Sequence, residues 1–217
     1  VIFTASYSSI QRPPTTTLHT THDPSAPLFR TPAADQTVEC DGAGNASALA
    51  AWLSNNGGAS ASDVCSGVRW TNNYTGLSDG CGATGSATVI FTATDSCGNS
   101  TSTTATFTIE DTTAPTIDTP AQDATAECDG SGNASALAAW LSNNGGASAS
   151  DVCSGVNWTN NYTGLSDGCG NTGSATVIFT ATDSCGNSTS TTAIFTIEDT
   201  TAPTIDTPAQ DATAECD

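Results

Sequence analysis

The spacing of the cysteines constrains this chain more than any other feature. Nine of them, at 40, 65, 81, 97, 128, 153, 169, 185 and 216, are separated by 25, 16, 16 and 31 residues, twice over. That is a period of 88 residues, and the rest of the sequence keeps it. Residues 33–120 and 121–208 differ at only 7 of 88 positions: 34, 36, 38, 43, 69, 83 and 106, against partners 88 residues on. Solenoid and propeller repeats run to about 20–50 residues. A longer repeat matches a small independent domain, so the expected organisation is beads on a string. Residues 209–217 repeat 121–129 unchanged, and 1–32 align without gaps on 89–120, keeping VIFTA, Asp23, Ala26-Pro27 and Thr31-Pro32. Between those anchors Ser9 replaces the cysteine and Pro13-Pro14 interrupt the strand region. The chain therefore divides into the divergent tail of a preceding repeat (1–32), two whole repeats (33–120 and 121–208) and the opening of the next (209–217). Cys216 then lacks a partner because its repeat is cut short, which speaks for a longer array and not for a reactive thiol.

Regularly spaced thiols at this density point to an oxidising, extracellular compartment. Zinc wants close Cys pairs or Cys/His clusters, and here the nearest cysteines are 16 apart. Against 22 acidic residues stand only Arg12, Arg30 and Arg69, with no Lys, for a formal charge of −19. Such a surface repels phosphate and anionic lipid, which excludes nucleic acid and the membrane surface as partners and favours divalent cations. No apolar run approaches the roughly 18 residues of a membrane span. The chain opens at Val1 without a secretory signal, as a mature or excised piece does. Abundant Thr, Ser, Gly and Asn would suit disorder, but four Trp and clean alternating strands argue for a packed core.

Within one repeat, 36–40 (QTVEC) opens a short strand and 45–53 (NASALAAWL) is the one helical stretch. Leu49, Trp52 and Leu53 share a face of that helix, and Asn55-Asn56-Gly57-Gly58 end it. A strand carrying Trp70 is expected over 65–71, with turns at Asn72-Asn73, at Gly76 and over 82–85. The strongest strand is 86–94 (SATVIFTAT), placing Val89, Phe91 and Ala93 on one face. A turn at 95–100 leads to a strand over 104–110, with Ala105, Phe107 and Ile109 inward. Residues 111–120 (DTTAPTIDTP) read as a stiff, Pro-containing linker. Many short strands at regular spacing predict an all-β fold of tandem immunoglobulin-like β-sandwiches. The helix would cap one end of each or cover a sheet edge.

Residues 89–120, VIFTATDSCGNSTSTTATFTIEDTTAPTIDTP, resemble the hyalin-repeat (HYR) family and its relatives in bacterial surface proteins. There a V-x-[FY]-T-A-x-D-x-x-G-N strand and turn lead to F-T-V-x-D-T-x-x-P. The four-cysteine version, with AEC, DVC, DGCG and DSCGN, resembles repeats of large adhesins from gliding Bacteroidota. The resemblance covers the second half of each repeat well and the first half loosely, where the helical insert departs from the shorter pattern. It implies an immunoglobulin-like sandwich in an extracellular adhesive or structural protein.

Four cysteines per repeat allow three pairings. The favoured set is Cys65–Cys97 with Cys40–Cys81, and Cys153–Cys185 with Cys128–Cys169 in the next repeat. Cys65 and Cys97 each follow an Asp by two positions in turn-like sequence, so they can meet at one end of the sandwich. Cys40–Cys65 with Cys81–Cys97 stays open. Either set is worth roughly 3–4 kcal/mol per bridge, which matters to a bead whose core is thinned by Ala, Gly and Thr. Hard oxygen ligands for Ca²⁺ are available in Asp63, Asp95, Asn99, Glu110 and Asp111 and in their counterparts Asp151, Asp183, Asn187, Glu198 and Asp199. No contiguous D-x-D-x-D-G loop accompanies them, and turn hydrogen bonding is the competing role for the same side chains. Asn45, Asn73, Asn99, Asn133, Asn161 and Asn187 sit in N-x-[ST] sequons, accidents of composition in a bacterium. Thr112 and Thr200 match a Bacteroidota-type O-glycan acceptor within the linker.

The only histidines, His19 and His22, lie in the divergent head, so the repeats hold no base for a Ser or Cys nucleophile. No cofactor is required, and the chain reads as a non-enzyme. Trp52, Trp70, Trp140 and Trp158 could stack on sugars but serve better to fill the core. Ile90, Ile178 and Ile194 fall on the outward face and hint at lateral contact. Truncated terminal beads would join head to tail by strand addition. The sequence thus predicts a structural extracellular repeat array, a cell-surface stalk, adhesin or filament that self-associates. Each bead would add about 35–45 Å of reach. The alternative is a multivalent module binding surface glycans through copy number.

Overall fold

The computed structural model describes residues 28–216. The head through residue 27, with Ser9, His19 and His22, and the last residue lie outside the described residues, as does most of the segment assigned to a preceding repeat. The first bead contains β1 (Leu28–Thr31), β2 (Gln36–Glu39), α1 (Ala46–Ser54), β3 (Ser60–Ser62), β4 (Arg69–Asn72), β5 (Gly85–Thr94) and β6 (Ser100–Glu110). The second repeats it with β7 (Thr116–Thr119), β8 (Ala124–Glu127), α2 (Ala134–Ser142), β9 (Ser148–Ser150), β10 (Asn157–Asn160), β11 (Gly173–Thr182) and β12 (Ser188–Glu198). The chain is an all-β tandem of immunoglobulin-like sandwiches, each with one short helix.

In each bead a four-stranded sheet, ordered β2-β6-β5-β4 or β8-β12-β11-β10, faces a two-stranded one, β1-β3 or β7-β9. The long hairpin β5-β6 carries strict alternation: Val89, Phe91, Ala93, Ala105, Phe107 and Ile109 are buried while their neighbours face out. The β2-β6 pairing is parallel, Glu39 opposite Glu110, so both strands finish at the same end of the bead.

The helix lies over the inner face of the sheet and not at an end or edge. Trp52 meets Phe91 edge-on with centroids 5.1 Å apart and leans on Phe107 at 5.5 Å. An indole is large enough to fill the space that a second sheet of only two strands leaves over Phe91 and Phe107. The turn after the helix must approach the same ring. Gly57 (φ +64) sits where a Cβ would lie 3.0 Å from Phe91 and 3.1 Å from Ala33, so only glycine fits.

Two other expectations change. The strand expected over 65–71 is confined to β4, because 63–66 form a turn closed by Asp63, whose Oδ1 accepts from the Cys65 and Ser66 N–H groups. The linker over 111–120 contributes β7, which pairs antiparallel with β9 of the second bead, so the free span between beads ends at residue 115. Its sequence counterpart at 204–207 forms no strand.

The disulfides overturn the within-repeat assignment. Cys40 bonds Cys153 and Cys81 bonds Cys185, so both bridges run between beads. Cys40–Cys81, Cys153–Cys185, Cys65–Cys97 and Cys128–Cys169 do not form, nor does Cys40–Cys65 with Cys81–Cys97. Topology supplies the reason. Cys40 follows β2 and Cys81 precedes β5, both at the end where β6 finishes; Cys65 and Cys97 sit in turns at the opposite end. When beads stack end to end, the far-end pair of one meets the near-end pair of the next.

Candidate functional site at the bead joint

The joint begins where β6 stops. Thr112 and Thr113 are tied back to the first bead through Glu39, whose carboxylate accepts from the Thr112 N–H (2.9 Å), the Thr112 hydroxyl (2.9 Å) and the Thr113 hydroxyl (2.8 Å). Those bonds, led by the Thr112 N–H, hold the Glu39 carboxyl below its ordinary range. Asp111 precedes them and is 9% exposed. Its carbonyl accepts from Asn187 Nδ2 of the second bead at 2.9 Å, and the Ala83 N–H donates to the Cys153 carbonyl at 2.9 Å. The backbones approach so closely that a Cβ on Gly82 (φ +59) would lie 2.5 Å from the Cys153 oxygen. The bridges have Cα–Cα separations of 6.0 and 5.2 Å, ordinary for disulfides.

The same joint gathers negative charge. Ligand atoms of Asp111, Asp151 and Cys153 lie within 4.8 Å of one another. Burial pushes the Asp111 carboxyl up, the neighbouring charges of Asp151, Asp183 and Glu39 add to it, and the Thr113 N–H opposes them. Asp111 Oδ2 is buried and finds no hydrogen-bond donor among the described residues. Burial also disfavours the charged form of Asp183, yet bonds from the Asn187 side chain and backbone and from the Cys185 and Gly186 N–H groups hold its carboxyl below the usual range. The Cys153 sulfur is committed to Cys40, so the donors left to a cation are carboxylate and carbonyl oxygens. An orphaned buried carboxylate oxygen beside Asp151, with the Asp183 charge near it, fits a hard cation such as Ca²⁺ and does not fit zinc.

Of the residues expected to ligate calcium, the joint brings together Asp111, Asp151, Asp183 and Asn187. Asp63, Asp95 and Asn99 form the equivalent turns at the near end of the first bead. There Asn99 caps Asp95 (2.8 Å) and is the main reason its carboxyl is held low. Glu110, Glu198 and Asp199 are exposed, and among the described residues Asp199 accepts from its local Thr201 N–H. Sequence reasoning missed Glu39 and Gly82 and gave Cys153 the wrong partner, because these residues come from segments far apart in the chain. The 88-residue register was the one signal that could have placed Cys153 opposite Cys40.

The remaining candidates fall elsewhere. Thr112 and Thr200 are exposed, with their hydroxyls bonded to Glu39 and Glu127, so a glycan there must first displace that bond. Asn45 and Asn133 are buried, with Nδ2 donating to the Glu39 and Glu127 carbonyls, and cannot serve as acceptors. The amide oxygens of Asn73 and Asn161 hold the Ile90 and Ile178 N–H groups. Trp52 and Trp140 donate Nε1 to the Ala34 and Gln122 carbonyls and pack on phenylalanines; Trp70 and Trp158 pack half-buried against the cores. Ile90, Ile178 and Ile194 lie on the open outer face at 42%, 41% and 40% exposure. Among the described residues no helix is long and apolar enough to cross a membrane.

No protein-family model matches the chain, and no curated protein does. Among solved structures, similar chains include Drosophila N-cadherin EC1-4 (15% identity, TM-score 0.32, 80% of this chain and 50% of that one). Others are mouse cadherin-23 EC22-24 (12%, 0.27, 80% and 67%) and the tandem Ig repeats of Dlar (14%, 0.24, 80% and 98%). The chain thus spans half the length of the N-cadherin fragment. Identities and scores this low assign it no role.

Proposed function

We propose that this chain is a segment of an extracellular structural array of hyalin-repeat type, a stalk, adhesin or filament whose beads are locked in line. The observation that supports it is the pair of disulfides spanning the joint, which fix orientation between beads and leave none inside them. Bridges across a joint serve shape transmitted along the array. They support an oxidising, extracellular compartment. Small-angle scattering of the oxidised chain tests this: a two-bead rod of about 70–90 Å is expected, and a broad distribution of bead separations would sink it.

The joint is also the place for calcium. Bound between Asp111 and Asp151, the ion would neutralise like charges, that of the nearby Asp183 included, and add a second lock to the covalent one. Extracellular oxygen sites bind in the range of about 0.1–1 mM. Isothermal titration with CaCl₂ should show heat in that range, and Asp111→Asn should remove it. Equal heats from the two proteins would dispose of the site.

A further inference from the structure

The two bridges of the joint lie in unlike surroundings. Cys40 and Cys153 are 7% and 8% exposed and belong to the packed core of the first bead, so a half-cystine of the second bead sits in the interior of its neighbour. The backbone closes over them from both sides. A Cβ on Gly42, just after Cys40, would lie 2.5 Å from the Val152 carbonyl oxygen, as one on Gly82 would from that of Cys153. Cys81 and Cys185 stand outside this seal. Cys81 is exposed, in a loop with Gly80 and Gly82 on either side, and Cys185 is half-buried.

Charge divides the bridges in the same sense. Reduction of a disulfide begins with attack by a thiolate, so access and the charge near the sulfur both set its rate. The Cys153 sulfur and carboxylate oxygens of Asp111 and Asp151 all lie within 4.8 Å of one another. An anion arriving there meets like charge at close range, where little water screens it. At the outer bridge the Asp183 carboxylate accepts the Cys185 N–H at 2.8 Å and keeps a negative charge beside that residue. Cys81 is left as the sulfur open to attack.

We propose that Cys81–Cys185 is a reducible latch and Cys40–Cys153 a sealed pivot, so that a low-molecular-weight thiol releases the joint in two separate stages. The inference rests on reading the chain as an array locked at its joints and adds how that lock is opened. In the first stage a thiolate bonds the Cys81 sulfur, the bond to Cys185 breaks, and the Cys185 sulfur leaves and takes up a proton. A second thiolate attacks the mixed disulfide, Cys81 leaves as a thiol, and the low-molecular-weight disulfide carries off the oxidation. Two electrons and two protons have then passed to the protein. The turn bearing Cys185 keeps the Asn187 bond to the Asp111 carbonyl, against the repulsion of Asp111 by Asp151 and Asp183. It swings away about Cys40–Cys153, and the angle between beads is freed while the inner bridge still limits how far the chain extends.

The test uses the oxidised full chain, with any free thiols capped by N-ethylmaleimide, and reduced glutathione as the thiol. Newly freed cysteines are trapped over time with iodoacetamide and located by peptide mapping. Cys81 and Cys185 should be labelled about tenfold faster, or more, than Cys40 and Cys153. Chain stopped at that stage should show, by small-angle scattering, a wider spread of bead separations than the oxidised chain. Cys81→Ser/Cys185→Ser, with Cys40–Cys153 intact on the map, should scatter in the same way without any thiol added. Labelling of all four cysteines at one rate, or of the inner pair first, overturns the proposal, and so does scattering that stays unchanged once the outer bridge is open. If the oxidised chain is nevertheless a two-bead rod, ordered release alone falls and the array reading stands. A map of the oxidised chain that places the bridges inside the beads removes both.

Discussion

Reducing the two bridges should release the joint without unfolding the beads, and the structure allows the balance to be worked. Three contacts other than the bridges hold the joint shut. The Ala83–Cys153 and Asn187–Asp111 hydrogen bonds contribute about 1 kcal/mol each. The burial of Val152 relative to Val64, about a quarter of a side chain, contributes about 0.5 kcal/mol. Against that stands the cost of ordering the hinge. Thr112 and Thr113 are pinned to Glu39 within the first bead, and β7 begins at Thr116, so the hinge is Ala114 and Pro115. Ordering two residues costs about 2–4 kcal/mol. The terms nearly cancel, and the crowded carboxylates of Asp111, Asp151 and Asp183 tip the reduced joint open at neutral pH. Neither bridge joins two elements of one bead, although Cys40–Cys153 packs against the first core, so far-UV circular dichroism at 25 °C should not change. Small-angle scattering should show a wider spread of bead separations once mass spectrometry confirms reduction. The melting temperature should still fall, because loops of 113 and 104 residues constrain the unfolded chain by about 4–5 kcal/mol each, not additively. Identical scattering from fully reduced and oxidised chain would refute the reasoning.

Four other perturbations separate the joint from the beads. Asp111 has a raised carboxyl pKa in the closed joint, so the closed form binds the extra proton; acidification from pH 7 toward its ordinary 3.8 should close the reduced joint. Asp111→Asn should close it at pH 7, read by the same scattering, and no pH response in the wild type would dismiss Asp111 as the sensor. Glu39 and Asp95 have lowered values, so the stability they lend is present above their unfolded pKa and lost as pH falls through the folded one; bead melting should weaken only at the acid end. Gly82→Ala should disrupt the joint, by the clash with the Cys153 carbonyl and by strain at φ +59, whereas Gly170→Ala carries strain alone, about 1–2 kcal/mol; equal effects on joint closure would contradict the close approach. Phe91→Ala, under Trp52, should cost about 3–5 kcal/mol in thermal or urea unfolding of the first bead.

The fold was legible because a period-2 signal needs only local sequence: Val89, Phe91, Ala105 and Phe107 alternate as they pack. The helix was legible too, but its place over the sheet was not, since nothing local to Trp52 says which phenylalanines it will meet. β3 and β7 are short, and their residues, SAS and TIDT, carry no alternation of large apolar side chains; pairing alone makes them strands. The bridges were misassigned because a pairing argument confined to one repeat assumes that the repeat is the covalent unit. Spacing gives four thiols per bead. Which end of the bead each occupies comes from the parallel β2-β6 pairing, a contact between residues about 70 apart in the chain. The acids of the joint were recognised individually, but their convergence depends on that same stacking.

The bridges also decide how the chain answers tension, which is where an array differs most from a tethered domain. Pulled between residues on either side of both beads, the oxidised chain bears load through Cys40–Cys153, and the chain between those cysteines, a sequence separation of 113, hangs in a loop that force cannot straighten. At about 3.4 Å per extended residue, that loop hides roughly 380 Å of contour length. Cys81–Cys185 runs in parallel and guards most of the same segment. Single-molecule stretching should therefore give traces that lengthen by about 380 Å on adding reductant, with the oxidised chain resisting near its folded length for longer. A bridge set confined within beads, such as Cys40–Cys81 with Cys65–Cys97, would hide about 280 Å over the two beads, so the size of the step separates the two bridge sets. Traces of equal length before and after reduction would mean that the load never passes through the joint bridges. The stiffness ascribed to them would then have to reside in the strands alone.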